Sequence, residues 1–161
     1  MSLDSVTRID TFFEAQITTP ESIYTIFEDK NEGLFEGGGG PFIKIWTEAS
    51  FDDPIAVEAS PEDFSCYTED GIVILQIFAT KGLGTIDLYS LARITTLIRN
   101  AFRGKRILPT GSEEGIIYFE DISSRQTIEV SPEDFPLGRS NSLGLVWKRK
   151  DIFINYQKNY E

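Results

Sequence analysis

The feature of this sequence that most constrains its fold is the apolar run GIVILQIFA at residues 71–79, where Gln76 is the one polar side chain. A run of this length is too short to cross a bilayer as a helix. Its β-branched residues predict a strand, and its continuous apolar character favours a central strand that is covered on both faces.

Two segments have the spacing of amphipathic helices. In residues 3–17 the apolar side chains recur every three or four positions. Thr18-Thr19-Pro20 is expected to end this helix, because the residue before a proline avoids helical geometry. The second helix is predicted over residues 88–103, with Thr85 as its cap and Gly104 in the left-handed closing position.

The remaining pattern is rich in strands. Strands are predicted at 22–27, 42–46, 116–119 and 143–157. The strand at 116–119 is expected to have a hairpin partner at 126–130. The segment 143–157 is either one continuous strand or two strands with a break near Lys150. Residues 55–57 either extend the second strand or form a short neighbour.

This order of elements predicts one α+β domain over residues 1–161. We expect a mixed or antiparallel sheet of about four to six strands that carries two helices and a β-hairpin extension. Because two helices with one apolar stripe each cover only part of a sheet, a neighbouring subunit is expected to supply further cover.

Composition excludes several kinds of chemistry. The chain has no histidine and one cysteine, Cys66, so it has no Ser-His-Asp triad, no histidine-ligated metal and no internal disulfide. Walker, EF-hand and dinucleotide motifs are absent from the sequence. We therefore predict no catalytic residue, no cofactor site and no metal site, and we expect a non-enzyme. With no secretory or membrane-spanning pattern, the expectation is a soluble protein made in a cytoplasm-like compartment.

Charge is distributed unevenly along the chain, whose formal net charge is −11. Residues 1–78 hold 16 acidic and 3 basic side chains, whereas residues 79–161 hold 10 acidic and 12 basic ones. One interpretation is a solvated surface with ordinary compensation at a helix end. The other is self-complementarity, in which one face docks on the opposite face of the next copy. Two sets carry the second interpretation: the acidic loop residues Glu28, Asp29, Glu32 and Glu36, and the basic residues Arg99, Arg103, Lys105 and Arg106.

A short repeat relates EASPEDF at residues 58–64 to EVSPEDF at 129–135. A serine cap, a proline at the first helical position and acids in the first turn are typical of a helix start. We favour this local reason over a duplicated binding epitope, because seven residues are too few to establish a duplicated unit.

The order of motifs resembles the tail terminator proteins of long-tailed, non-contractile bacteriophages. Four stretches carry the resemblance and together span most of the chain: the helix at 3–17, PFIKIW at 41–46 after a glycine-rich loop, GIVILQIFA at 71–79 with KGLGT at 81–85 and the helix at 88–103, and WKRKDIFINYQ at 147–157. Residues 107–142 have no counterpart in this pattern.

The resemblance implies a structural virion protein, assembled in the host cytoplasm, that forms a homohexameric ring in the tail or neck. Its partners would be the tail tube protein on one side and a head-completion protein on the other. DNA would pass through the ring without specific binding, since an acidic lumen repels phosphate. We therefore expect some of Glu28, Asp29, Glu32 and Glu36 to approach the lumen, and the basic set to dock a subunit or partner.

Two alternatives remain at this stage. One is a different neck or tail component, such as a head-completion or tail tube protein, which shares the same partners. The other is a small monomeric ligand-binding domain or acid-dependent hydrolase, which requires a pocket with convergent polar groups.

Overall fold

The structure is a computed structural model, and it describes residues 3–28, 41–54, 67–80, 86–109, 115–130 and 147–159. Several predictions lie outside these residues. They concern Asp29, Glu32 and Glu36, the glycine run at 37–40, residues 55–57, the Thr85 cap, residues 143–146 of the last predicted strand, and all of the SPEDF repeat except Glu129 and Val130.

The described elements are three helices with a π-helical turn, and seven strands. The helical part consists of α1 (Leu3–Phe13), the π-helical turn (Glu14–Thr18), α2 (Thr19–Glu21) and α3 (Ile86–Phe102). The strands are β1 (Tyr24–Phe27), β2 (Phe42–Pro54), β3 (Tyr67–Thr80), β4 (Arg106–Ile107), β5 (Ile116–Ser124), β6 (Ile128–Glu129) and β7 (Trp147–Asn159).

All seven strands belong to one mixed sheet in the order β1-β2-β3-β7-β5-β4, with β6 also paired to β7. Only the β1–β2 pair is parallel among the described pairs. The predicted α+β class with two main helices is confirmed, whereas the predicted count of four to six strands was too low. β3 lies in the middle of the sheet, as its apolar run predicts.

The predicted hairpin between 116–119 and 126–130 is wrong. β6 does not pair with β5; both strands lie end to end along the same side of β7. The connecting residues Arg125-Gln126-Thr127 contain none of the Gly, Asn or Asp residues that a tight hairpin turn needs, so the chain continues in one direction. β7 runs without a break through Lys150, which pairs with Ile77.

The first helical segment extends past its predicted end. The backbone N–H of Thr19 donates to the carbonyl oxygen of Glu14, five residues back, which is π-helical geometry. This wider turn places Pro20 in the first turn of α2, where its missing N–H costs little. The helix ends at Ser22, which takes the left-handed conformation with φ of 53°.

The helices cover one face of the sheet and form the main core there. Side chains alternate along the strands of this core, so that the odd residues 43–47 of β2 and 69–79 of β3 and the even residues of β7 point toward the helices. Its fully buried members include Ile43, Ile45, Val73, Leu75, Ile77, Ile152 and Ile154 from strands, and Ile9, Phe13, Ile17, Ile94, Ile98 and Phe102 from helical segments. Ring contacts link the layers; for example, the Phe102 and Phe119 centroids are 4.7 Å apart.

We call the opposite side of the sheet the open face. At one end it carries a small buried cluster of Ile26, Phe42, Phe78, Val130 and Trp147, in which the Phe42 and Phe78 rings stack with centroids 4.6 Å apart. Along β3, Ile72, Ile74 and Gln76 are only half-buried on this side. On the open face, β3 is therefore fully buried only at its Phe78 end, so the predicted cover on both faces is correct for part of the strand and wrong for its middle.

Candidate functional site

Three of the four predicted basic residues lie together at one edge of the sheet. Arg103 and Lys105 flank Gly104, whose φ of 65° confirms the predicted left-handed helix ending. Arg106 follows in β4, the edge strand that pairs with β5. Arg103, Lys105 and Arg106 are exposed, and no described carboxylate lies within ion-pair distance of them. We call these three residues the basic edge.

The fourth predicted basic residue, Arg99, has a different environment. It is half-buried, and its Nη2 donates to Ser124 Oγ at 2.8 Å. It therefore ties α3 to β5 and does not belong to the exposed surface.

Arg8 approaches the basic edge from α1, and sequence reasoning did not include it. Its Nη2 donates to the carbonyl oxygen of Ile107 at 3.2 Å. The two residues are 99 positions apart in the chain, so no local pattern links them.

Of the four predicted acidic loop residues, Glu28 is the one that the structure describes. It is exposed directly after β1, and its carboxylate lies 3.6 Å from Lys44 Nζ. β1 is the edge of the sheet opposite β4. Five strand spacings of about 4.8 Å separate the two edges by roughly 24 Å. In the sequence, Asp29, Glu32 and Glu36 follow Glu28 closely.

An apolar row crosses the centre of the open face. Trp46 of β2, Ile74 of β3 and Phe153 of β7 are register partners and are all half-buried. A cation lies over each aromatic ring: Lys44 Nζ is 5.3 Å from the Trp46 centroid, and the Arg125 guanidinium is 4.9 Å from the Phe153 centroid. No helix in the described part of the chain joins the clusters on this face.

Beyond the apolar row, the open face forms a wide groove of about 610 Å³. Exposed carboxylates from three strands, Glu48, Asp70 and Glu120, line it together with Ile72 and Asn155. Glu48 also accepts a hydrogen bond from Trp46 Nε1 at 3.2 Å. Sequence reasoning missed this groove and the apolar row, because their residues come from different strands. The strand register brings these residues together, and local sequence patterns do not show the register.

A buried polar cluster ties α1 to the sheet. Glu69 Oε2 accepts hydrogen bonds from Ser5 Oγ and from Tyr156 Oη, the latter at 3.1 Å. Lys158 is the register partner of Glu69, and both are buried. The Tyr156 ring lies against Gly71, where a Cβ would come within 2.4 Å of it. Ser5 and Glu69 are 0% exposed, so this cluster lies in the interior between α1 and the sheet.

The described residues contain no group of three or more acidic or cysteine side chains arranged to hold a metal ion. Among the same residues, no helix is both long and apolar enough to span a membrane. The chain matches no protein-family model, and it has no significant match among curated proteins.

Proposed function

We propose that this protein is a structural component of a phage tail that forms a homohexameric ring, caps the tail tube, stops its growth and offers the head-attachment interface. The sequence resemblance to tail terminators motivates this function. The observation that carries it is the separation of charge between the two edges of the sheet. The basic edge lies at β4, whereas Glu28 and the acidic segment after it in the sequence follow β1.

Opposite charges on opposite edges favour a head-to-tail contact, in which one edge of a subunit meets the other edge of the next copy. A heterologous contact of this kind closes into a ring when the rotation between neighbours is a simple fraction of a turn. Unlike charges at the contact speed assembly and disfavour wrong orientations, because two basic edges repel each other.

The partners in this proposal are a second copy of the chain, the tail tube protein and a head-completion protein. DNA passes through the ring without being held by it. The formal charge of −11 supports this role, since a negative lumen repels the phosphate backbone. Of Glu28 and the acidic residues at 29, 32 and 36, those that do not meet the basic edge of the next copy are the candidates to approach the lumen.

The test is light scattering over a concentration series, with and without tail tubes, combined with negative-stain imaging. A ring of about 109 kDa, six times the 18.2 kDa chain, is expected alone or on the ends of tubes. Arg103→Glu should weaken ring formation. Arg93→Glu is the matched control, because Arg93 lies within α3, which ends just before Arg103, and it contacts Glu21 of its own chain at 3.0 Å.

Two results would contradict the proposal. One is a protein that stays monomeric and does not bind to tube ends. The other is equal assembly of the wild type and Arg103→Glu, which would remove the basic edge from the ring contact. Binding along the whole tube, and not at its end, would indicate a tube component.

A further inference from the structure

We propose that the open face is a self-association surface through which two copies of this chain pair face to face. This pairing goes beyond the ring, which uses the sheet edges, and it does not depend on the ring being formed.

The open face carries the same order of side chains at its two sides. On β2 the open face presents Lys44, Trp46 and Glu48 in succession: a cation, an aromatic ring and a carboxylate. On the other side of the face, Arg125 lies over Phe153, and the Arg125 backbone N–H donates to the Asp151 carbonyl oxygen, one register row before Phe153.

The carboxylate of that second series is Glu120, which lines the groove beside Asn155, one register row beyond Phe153. Along the strand direction, both sides of the open face therefore present first a cation, then the apolar row and then a carboxylate. Ile74 occupies the middle of the apolar row.

A two-fold axis that runs along the apolar row reverses this order in the second copy. Lys44 then faces Glu48 of the second copy, and Arg125 faces Glu120 of the second copy. The apolar row meets itself, as the inner faces of two packed sheets do. A two-fold axis parallel to the strands instead brings Lys44 against Arg125 of the second copy, and this repulsion disfavours it. The charges thus select a second copy in one orientation.

The size of the face sets the strength of the pairing. Four strands about 4.8 Å apart and three register rows about 7 Å apart, with their side chains, give a patch of about 20 by 20 Å. Such a patch buries on the order of 1,000 Å² in total, which is near the lower limit for specific interfaces. We expect a reversible dimer of about 36 kDa, twice the chain mass, with a micromolar dissociation constant.

The first test is sedimentation equilibrium on charge-swap variants. Because of the symmetry, one substitution changes two contacts. Arg125→Glu and Glu120→Arg should each weaken dimerisation about tenfold, and the double variant Arg125→Glu/Glu120→Arg should recover to within about threefold of the wild type. This pair is chosen because Lys44 already lies 3.6 Å from Glu28 of its own chain, whereas no ion pair joins Arg125 or Glu120 to another described residue. A wild type that stays monomeric at millimolar concentration, or a double variant as weak as the singles, overturns the proposal.

The second test reports the orientation by cross-linking with a short bis-maleimide in a Cys66→Ser background. Cysteine at position 74 lies on the axis, about 10 Å from its copy across two packed sheets. The control, Gln76→Cys, lies one register row off the axis, so the two copies are roughly 17 Å apart. Cross-linked dimer is expected for Ile74→Cys and not for Gln76→Cys.

Three outcomes of cross-linking overturn the proposal. They are equal yields at the two positions, no dimer at position 74, and a position-74 thiol that resists a monofunctional maleimide under monomeric conditions, which would mean that the chain's own segments cover the face.

Arg103→Glu separates this pairing from the ring. If Arg103→Glu assembles rings as the wild type does while the position-74 cross-link persists, the basic-edge contact fails and the pairing stands. If rings form and Arg103→Glu weakens them, but position 74 gives no cross-link, the pairing fails and the basic-edge contact stands.

Discussion

The substitution Gly71→Ala should destabilise the protein by about 3 kcal/mol through a single side chain on the neighbouring strand. A Cβ at position 71 would lie 2.4 Å from Tyr156 Cε1 and 2.5 Å from Cζ and Oη, so the ring must move by about 1 Å to reach ordinary contact. The ring is 1% exposed, and its hydroxyl donates to Glu69. Overpacking of this kind costs about 1–3 kcal/mol.

Loss of the hydrogen bond to the carboxylate adds about 1.5–3 kcal/mol. Alanine also lowers the conformational entropy of the unfolded chain, which offsets about 0.4–1 kcal/mol of the destabilisation. The assay is urea unfolding, where a slope of about 2 kcal/mol/M converts the expected loss into a midpoint about 1.5 M lower.

A double-mutant cycle isolates the contact. In a Tyr156→Leu background the clash is removed, so Gly71→Ala should cost at least about 1 kcal/mol less there. Gly104→Ala is the control for backbone strain alone, because its φ is positive but no atom lies within 4 Å of the added Cβ; it should cost only about 1–2 kcal/mol. A Gly71→Ala midpoint within about 0.3 M of the wild type, or equal losses in both backgrounds, would refute the reasoning.

Three further predictions use the same unfolding assay. Phe102→Ala should cost about 3–5 kcal/mol, because Phe102 is fully buried between α1 and β5; a loss below 1 kcal/mol would mean that the helices pack elsewhere. Glu69→Ala should cost about 2–5 kcal/mol, since it leaves two buried hydroxyl donors without their acceptor, and Glu69→Gln should cost clearly less; equal losses would contradict this. Arg93→Ala should cost less than about 1 kcal/mol and become neutral in 1 M salt, because the ion pair with Glu21 is half in solvent; a larger, salt-independent loss would disagree.

Local patterns were sufficient for the elements that local forces dominate. The apolar run at 71–79 lies within β3, the apolar stripe of 88–103 lies within α3 apart from its final residue, and Gly104 adopts the left-handed closing conformation. In each case the signal lies within a few residues of the element that it predicts. It is either the hydrophobic period of the helix or strand itself or the backbone preference of the glycine.

Features decided by distant neighbours were not predictable. β4 and β6 have two residues each, too few to show a period, and they exist because β5 and β7 offer them backbone partners. The π-helical turn before Pro20 contains Ile17, which is 1% exposed in the core, and the local sequence does not show that burial. Arg99 and Arg103 carry the same charge, but Arg99 donates a hydrogen bond to Ser124 and is half-buried, whereas Arg103 is exposed. Only the position of Ser124 in the fold distinguishes the two.

The central position of β7 has a consequence for how the chain acquires its structure during synthesis. β7 joins β1-β2-β3 to the strands β5, β4 and β6, and it comes after all six of them in the sequence. Until the ribosome has released residues 147–159, β3 and β5 both present unpaired backbone edges. Such edges template wrong pairing, and contacts over long sequence separations form slowly. A nascent chain stalled before residue 147 should therefore aggregate or engage chaperones, and final assembly of the sheet should follow translation of β7.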